Sequence, residues 1–340
     1  MQEIRRSTNF ICFGELLLRL STPRRELLLQ SPQLDVCVGG AEANVAVALA
    51  RFGHPAAMVS VIPANDLGDA ALGELRRHGV DTSRVVHGAG RMGMYFLTSG
   101  AAQRPSQVLY DRAHSAFAQA APQMYDWPRL LDGAQVLHVS GVTPAVGANA
   151  AAAAIAAVRA ARERDVHVVF DGNFRSKLWQ MWDGDPRSIL REIFSRANTI
   201  FAEHRDIGLV LDEDFSGQHA AQASAAAAFA AFPSLQRIVA TQRVQHNVDD
   251  HELSASMITR DAQFSTASQR VVPIVDRIGT GDAFAAGVLH GLFSGMGEQA
   301  SLDFGLASGC LKHSVPGDFL RLSASDVAEF LGERRFDVRR

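Results

Sequence analysis

Val271-Val-Pro-Ile-Val275-Asp276-Arg-Ile-Gly279-Thr280-Gly281-Asp282-Ala-Phe-Ala-Ala-Gly287 reads as a strand-like apolar run, a glycine turn, and a helix of small apolar residues. A strand handed through a turn into a helix is the repeating unit of a parallel α/β sheet. Free amides at such a helix start converge on an anion, and Gly279 and Gly281 let the backbone approach it closely. A carboxylate beside that hole, Asp282, is placed to take the proton of an alcohol while the amides of Gly279, Thr280 and Gly281 offset charge on a transferring phosphoryl group. Read alone, the stretch leaves open that Asp282 merely caps its helix.

The same rhythm runs through the chain. Phe10 to Phe13, Ala57 to Val61, Val136 to Val139, Val166 to Phe170, Thr199 to Phe201 and Arg237 to Ala240 are short apolar runs, each followed by helix-like sequence. The small-residue stretches Ala148 to Ala161 and Ala220 to Ala231 are helices of high intrinsic propensity. Two segments break the pattern, about 16–38 and 92–112, where period-two candidates suggest a small β lid over the crevice at the strand ends. With no long linker and no internal repeat, residues 1–340 are expected to form a single domain.

Composition narrows the partners. The 340 residues are 47% apolar with net charge −3, and no run of like charge suggests a nucleic-acid groove or a membrane-binding face. No stretch reaches the roughly 18 apolar residues of a membrane span, and the opening segment MQEIRRSTNF lacks an apolar signal region. Cys12, Cys37 and Cys310 are too far apart to read as a disulfide framework or zinc knuckle, which fits a reducing cytoplasm. Gly88-Ala-Gly90-Arg-Met-Gly93 matches a dinucleotide fingerprint but leads into strand-like sequence instead of a helix, and is rejected. His204-Arg205-Asp206 copies a protein-kinase triplet without its companion Asn or Asp-Phe-Gly. The only lysines are Lys177 and Lys312, neither behind a glycine-rich loop, so phosphates must be held by backbone amides, arginines and metal.

A second glycine turn, Gly39-Gly40-Ala-Glu-Ala-Asn44, feeds a helix whose core stripe is expected at Val45, Ala48, Leu49 and Phe52, with Gly53 at its C-terminal cap. Asn44 in the first turn can both donate to and accept from sugar hydroxyls. This turn paired with the late Gly279-Thr-Gly-Asp282 resembles the ribokinase-like (PfkB) carbohydrate kinases, over almost the whole chain. The resemblance implies a Rossmann-like, mostly parallel sheet flanked by helices, with a small β lid that often mediates dimers. It further implies ATP and Mg2+ as cosubstrates, with Asp282 as base, and leaves open a monovalent cation beside Asp276.

Within that family Leu137-His-Val-Ser-Gly141, Asp171-Gly-Asn173-Phe-Arg175 and Lys312-His-Ser-Val-Pro-Gly-Asp-Phe319 are most similar to 2-keto-3-deoxygluconate kinases. The implied reaction is phosphorylation of that sugar acid at its terminal hydroxyl. Gly39, Gly40, Asn44, Tyr95, Tyr110, Arg112 and Arg175 are the implied substrate contacts, and arginine forks suit a carboxylate. Thr241, Arg243, Ser308 and Lys312 fall to the nucleotide by the same analogy. Two departures stand out. The magnesium-organising Asn-x-x-Glu is replaced by Glu203 and Asp206, and the nucleotide loop reads Thr241-Gln-Arg-Val-Gln-His246 with no glycine. The alternatives are a neutral-sugar kinase of the fructose, ribose or tagatose type, and a sugar- or nucleotide-binding regulator with weakened catalysis.

Overall fold

The computed structural model describes residues 9–332; residues 1–8 and 333–340, which hold most of the opening segment and both ends of the expected domain, lie outside them. The described strands are β1 (Phe10–Phe13), β2 (Leu17–Ser21), β3 (Asp35–Gly39), β4 (Ala56–Pro63), β5 (Val85–Gly88), β6 (Gly93–Thr98), β7 (Gln107–Asp111), β8 (Val136–Ser140), β9 (His167–Asp171), β10 (Thr199–Phe201), β11 (Arg237–Asn247), β12 (Asp250–Thr259), β13 (Gln263–Ser265) and β14 (Gln269–Val271). The main sheet has the order β13-β12-β11-β10-β9-β8-β1-β4-β5, with β14 beside β12. From β11 to β5 every pairing is parallel, and β12 adds an antiparallel edge.

Period-two alternation assigns side chains to two helical layers. Phe10, Cys12 and Met58 pack on one face with helices Ala41–Arg51, Thr280–Phe293 and Glu298–Lys312. Ile11, Phe13, Ala57 and Val59 pack on the other with helices Ala148–Arg162, Pro186–Phe194 and Ala220–Ala231. Covered on both faces, the central strands are mostly apolar, as a parallel sheet requires. Helix Ala41–Arg51 exceeds its expected stripe: it is buried continuously from Glu42 to Leu49, because it lies between the sheet and helix Thr280–Phe293.

The segments 16–38 and 92–112 form a separate sheet of order β3-β2-β6-β7. Its central pair, β2 and β6, is parallel and the outer pairs are antiparallel. Two strand readings change. The run Val271 to Val275 enters the sheet only at Val271, since Pro273 has no N–H to extend a ladder, and Val272 and Val275 stand exposed. The run Arg237 to Ala240 continues through Thr241 to Asn247, because β12 folds back on it in an antiparallel hairpin.

The parallel strands bring their carboxyl ends to one edge. Glu15 follows β1, Ser140 ends β8, Asp171 ends β9 and Glu203 lies just past β10, and the small sheet covers this edge. Among the described residues, no helix is long and apolar enough to cross a membrane.

Candidate active site

A cleft of about 660 Å³ opens at that edge, within the size range of small-molecule sites. Its floor is the glycine turn. Gly279 caps helix Thr280–Phe293 at φ 77°, and a Cβ there would come within 2.1 Å of the Asp318 carbonyl oxygen, so only glycine closes the turn. At Gly281 a Cβ would meet no atom within 4 Å: the turn opens on the cleft. The amides of Thr280, Gly281 and Asp282 precede any intrahelical acceptor and leave an anion cradle.

Asp282 occupies the third helical position, where it is buried and Asn44 Nδ2 donates to its Oδ2 at 2.6 Å. Burial pushes its carboxyl up to about 7; the Asn44 bond and Arg175 oppose that rise, while Glu42 and Asp318 reinforce it. A base near neutrality is what proton abstraction at physiological pH needs. Asn44 Oδ1 is buried without a partner and lies at the cleft, free to accept from a hydroxyl. Its helix is anchored from behind: Glu42 accepts from the Ser140 N–H at 2.8 Å, the Ser140 hydroxyl at 2.8 Å and the Thr143 hydroxyl at 2.7 Å. Gly40, at φ 142°, begins the helix where a Cβ would meet the Glu15 carbonyl oxygen at 2.2 Å. At Gly39 the obstacle would be the Asp318 carboxylate, at 2.3 Å.

The small sheet supplies Leu17, Tyr95, Val108 and Tyr110 to the roof. Tyr95 donates its hydroxyl to Asp318 Oδ2 at 2.9 Å. Arg112 also lines the cleft, but its Nε is bonded to Glu15 Oε2 at 2.6 Å in a buried pair, so its charge is already met. Arg175 is exposed at the cleft, and Arg243 and Arg277 line it too. None of these three arginines has a carboxylate partner among the described salt bridges, and burial, then Arg243 and Arg175, hold Arg277 below the usual guanidinium range. Unpaired cations beside an amide cradle are an anion site.

Several expected contacts lie elsewhere. Ser308 is fully buried and donates to the Phe304 carbonyl of its own helix, while Leu306, Gly309 and His313 carry the face turned to the cleft. Lys312 is fully buried and donates to the Val315 carbonyl at 2.9 Å, with its pKa lowered by burial to about 8. Thr241 and Arg243 do line the cleft, but from the strand β11, not from a phosphate-wrapping loop. Glu203 opens on the cleft, whereas Asp206 turns back to accept from the Glu203 N–H at 2.9 Å. Among the described residues no group of three His, Cys, Asp or Glu side chains is arranged to hold a metal. Asp276 has a cation beside it, the guanidinium of Arg19, at 2.7 Å.

Sequence reading missed Asp171, Arg277, Asp318 and Glu42. Asp171 lines the cleft at the end of β9, where burial and then Asp282 push its carboxyl up to about 8. Asp171, Arg277 and Glu42 stand inside the motifs quoted for the glycine turns and strand ends, and Asp318 in the quoted stretch that follows helix Glu298–Lys312. The available signal was position at a carboxyl edge, which marks α/β sites.

Comparison with known proteins agrees with this geometry. A family model described as pfkB family carbohydrate kinase matches residues 7–320. A 2-dehydro-3-deoxygalactonokinase of Haloferax volcanii is 32% identical over 325 residues, which cover 96% of this chain and 97% of that protein. The crystal structure of a 2-dehydro-3-deoxygluconokinase from Thermotoga maritima superposes with TM-score 0.89 at 35% identity, covering 96% of this chain and 100% of that one. A fructokinase from Xylella fastidiosa, solved with bound ATP, shares the fold alone at 22% identity and TM-score 0.74, covering 95% and 98% of the two chains.

Proposed function

The chain belongs to the pfkB family of carbohydrate kinases, and from that premise we propose that it transfers the terminal phosphoryl group of ATP to the terminal hydroxyl of 2-keto-3-deoxygluconate. One observation carries the reading: Asp282 is fixed by Asn44 at the rim of an open amide cradle that faces three unpaired arginines. Asp282 takes the hydroxyl proton as the alkoxide oxygen forms its bond to phosphorus and the bond to the departing ADP oxygen breaks. The amides of Thr280 to Asp282 meet the charge on the transferring group, and Arg243 and Arg277 offset that of the remaining phosphates.

Kinases of this family use ATP with a divalent metal. Magnesium carried on the phosphates would supply charge neutralisation, and Glu203, which lines the cleft just past β10, would help hold it. Arg19 already meets Asp276, so the reading invokes no monovalent cation.

Because Arg112 is committed to Glu15, Arg175 is the arginine free for the substrate carboxylate. A neutral sugar leaves it unmatched, at a cost of about 1 to 3 kcal/mol, or roughly ten- to a hundredfold in affinity. An ADP-release assay with 2-keto-3-deoxygluconate, its galactonate epimer, fructose and ribose tests this. Arg175→Ala is expected to raise KM for the sugar acids selectively; equal effects on fructose would reject a sugar-acid substrate. A higher kcat/KM for the galactonate epimer would move the assignment to the activity for which the Haloferax relative is named. Cys12, Cys37 and Cys310, too far apart in the sequence to read as a disulfide framework, favour a reducing cytoplasm as the setting.

A homodimer through the small sheet completes the reading. The ladder registers place Leu18, Leu20, Val36, Val38, Met94, Phe96 and Leu109 on one face, opposite the face that carries Tyr95 and Tyr110. Val36 and Leu109 are exposed at its two edges, an apolar surface suited to a second copy.

A further inference from the structure

Arg19 lies on β2 in the small sheet, yet its guanidinium is buried in the main body. Nη2 meets Asp276 Oδ2 at 2.7 Å, and Nη1 reaches Asp276 Oδ1 at 3.3 Å and Asp318 Oδ1 at 3.2 Å. Both carboxylates belong to the frame of the glycine turn. Asp276 begins the turn and accepts from the Ile278 N–H at 2.9 Å and the Gly317 N–H at 3.0 Å. Asp318 lies against Gly279 through its backbone carbonyl and holds Tyr95 through its side chain. One fork thus joins three pieces: the small sheet, the start of the cradle and the segment behind Gly279.

The charge count explains why an arginine is needed. A buried carboxylate, Asp318, and a half-buried one, Asp276, face two buried cations, Arg19 and Lys312, and Lys312 spends its hydrogen bond on the Val315 carbonyl. Among the described residues only Arg19 contacts Asp276 and Asp318 together. Without it the two carboxylates would repel across the site, and Asp276 would lose the partner that keeps it aimed at the Ile278 amide.

We infer that Arg19 is a positioning residue for phosphoryl transfer: its guanidinium acts as a built-in cation that fixes the amide cradle in its donor-presenting shape and ties that shape to the seat of the small sheet. Arg19 does not touch the reacting atoms. The inference rests on the kinase reading for its effect on turnover, but not for its effect on the turn.

Two readouts on Arg19→Met test it, steady-state kinetics and amide hydrogen exchange in the free protein at Ile278 and Gly317, whose N–H groups donate to Asp276. The expected result is a folded variant whose kcat falls about a hundredfold, the scale of an angstrom-sized misplacement, with faster exchange at the turn. Guanidinium or potassium ions, which can enter between the freed carboxylates, should restore part of both, and the bulkier tetramethylammonium should not. Turnover equal to the parent, or lost turnover with unchanged exchange and no rescue by either ion, would overturn the inference. If Arg19→Met does not fold, Arg19→Lys carries the same readouts, since it keeps the charge and loses the fork; an intermediate effect is expected and parental behaviour would overturn. A parent inert toward every sugar acid would sink the sugar-acid reading alone, and the exchange measurement would still decide the role of Arg19.

Discussion

Asp282 sits where two demands pull on one proton. Burial favours the neutral acid, so its carboxyl rises from the ordinary 3.8 to about 7, while the reaction needs the carboxylate. Turnover should therefore rise with pH through about 7, a profile that kcat against pH reads directly. Asp282→Asn should lower kcat about 10²- to 10⁴-fold, the usual worth of a positioned base. The folded acid holds its proton more tightly than the unfolded one, so the stability it lends is whole below 3.8 and drains away as pH rises through about 7. Asp282→Asn, always neutral, should consequently melt higher than the parent at pH 8, with the gap closing toward pH 4; a lower melt at both pH values would contradict the strain assigned here. Residues of this kind were legible because backbone motifs name them: Gly279, Gly281, Asp282 and Asn44 stand where glycine turns open helices. Arg112, Ser308 and Lys312 were not, because their partners are distant or depend on helical phase. Glu15 lies 97 positions from Arg112, and a rotation of one residue along helix Glu298–Lys312 separates the cleft-facing Gly309 from the core-facing Ser308.

Helices Ala41–Arg51 and Thr280–Phe293 both point their first turns into the cleft, and their far ends are pinned together. His54, just past the first, meets His290 near the end of the second at 2.9 Å, among Phe10, Phe52 and Phe304. Burial lowers both, His290 to about 4. A histidine kept neutral by the fold contributes stability that is full above its ordinary 6.5 and is lost as pH falls toward 4. Denaturant unfolding should therefore lose up to about 3 kcal/mol across that interval from His290, with His54 acting in the same direction. The double variant His54→Leu with His290→Phe should flatten that slope, and an unchanged slope would move the acid sensitivity to His138, His167 or His313, which burial also depresses. At this scale the parallel strands were readable as apolar runs. The hairpin of β11 and β12 was not: Thr241 to His246 alternates no clear face, and only the returning β12 makes it a strand. Likewise Val271 to Val275 has a strand's composition, but Pro273 denies it the ladder.

For the whole molecule, the small sheet decides both closure and association. Its inner face carries Tyr95 and Tyr110 over the cleft, and Arg19 and Arg112 root it in buried ion pairs, so it is seated on the body at several points. If its outer face joins two copies, Val36→Glu with Leu109→Glu should halve the sedimenting mass while leaving the melting temperature near that of the parent. A parent that sediments as a single chain at high concentration would remove the dimer. The α/β class and the presence of this second sheet could be anticipated from alternating runs and their interruption; its seating could not, since Arg19 to Asp276 spans 257 positions. The scarcity of lysine has a practical side as well. With Lys312 walled in, Lys177 is the one exposed side-chain amine of the described fold, two residues beyond Arg175 at the cleft mouth. A dye carried on that amine would thus sit at the mouth, and its emission should respond to a ligand arriving in the cleft without any engineered cysteine.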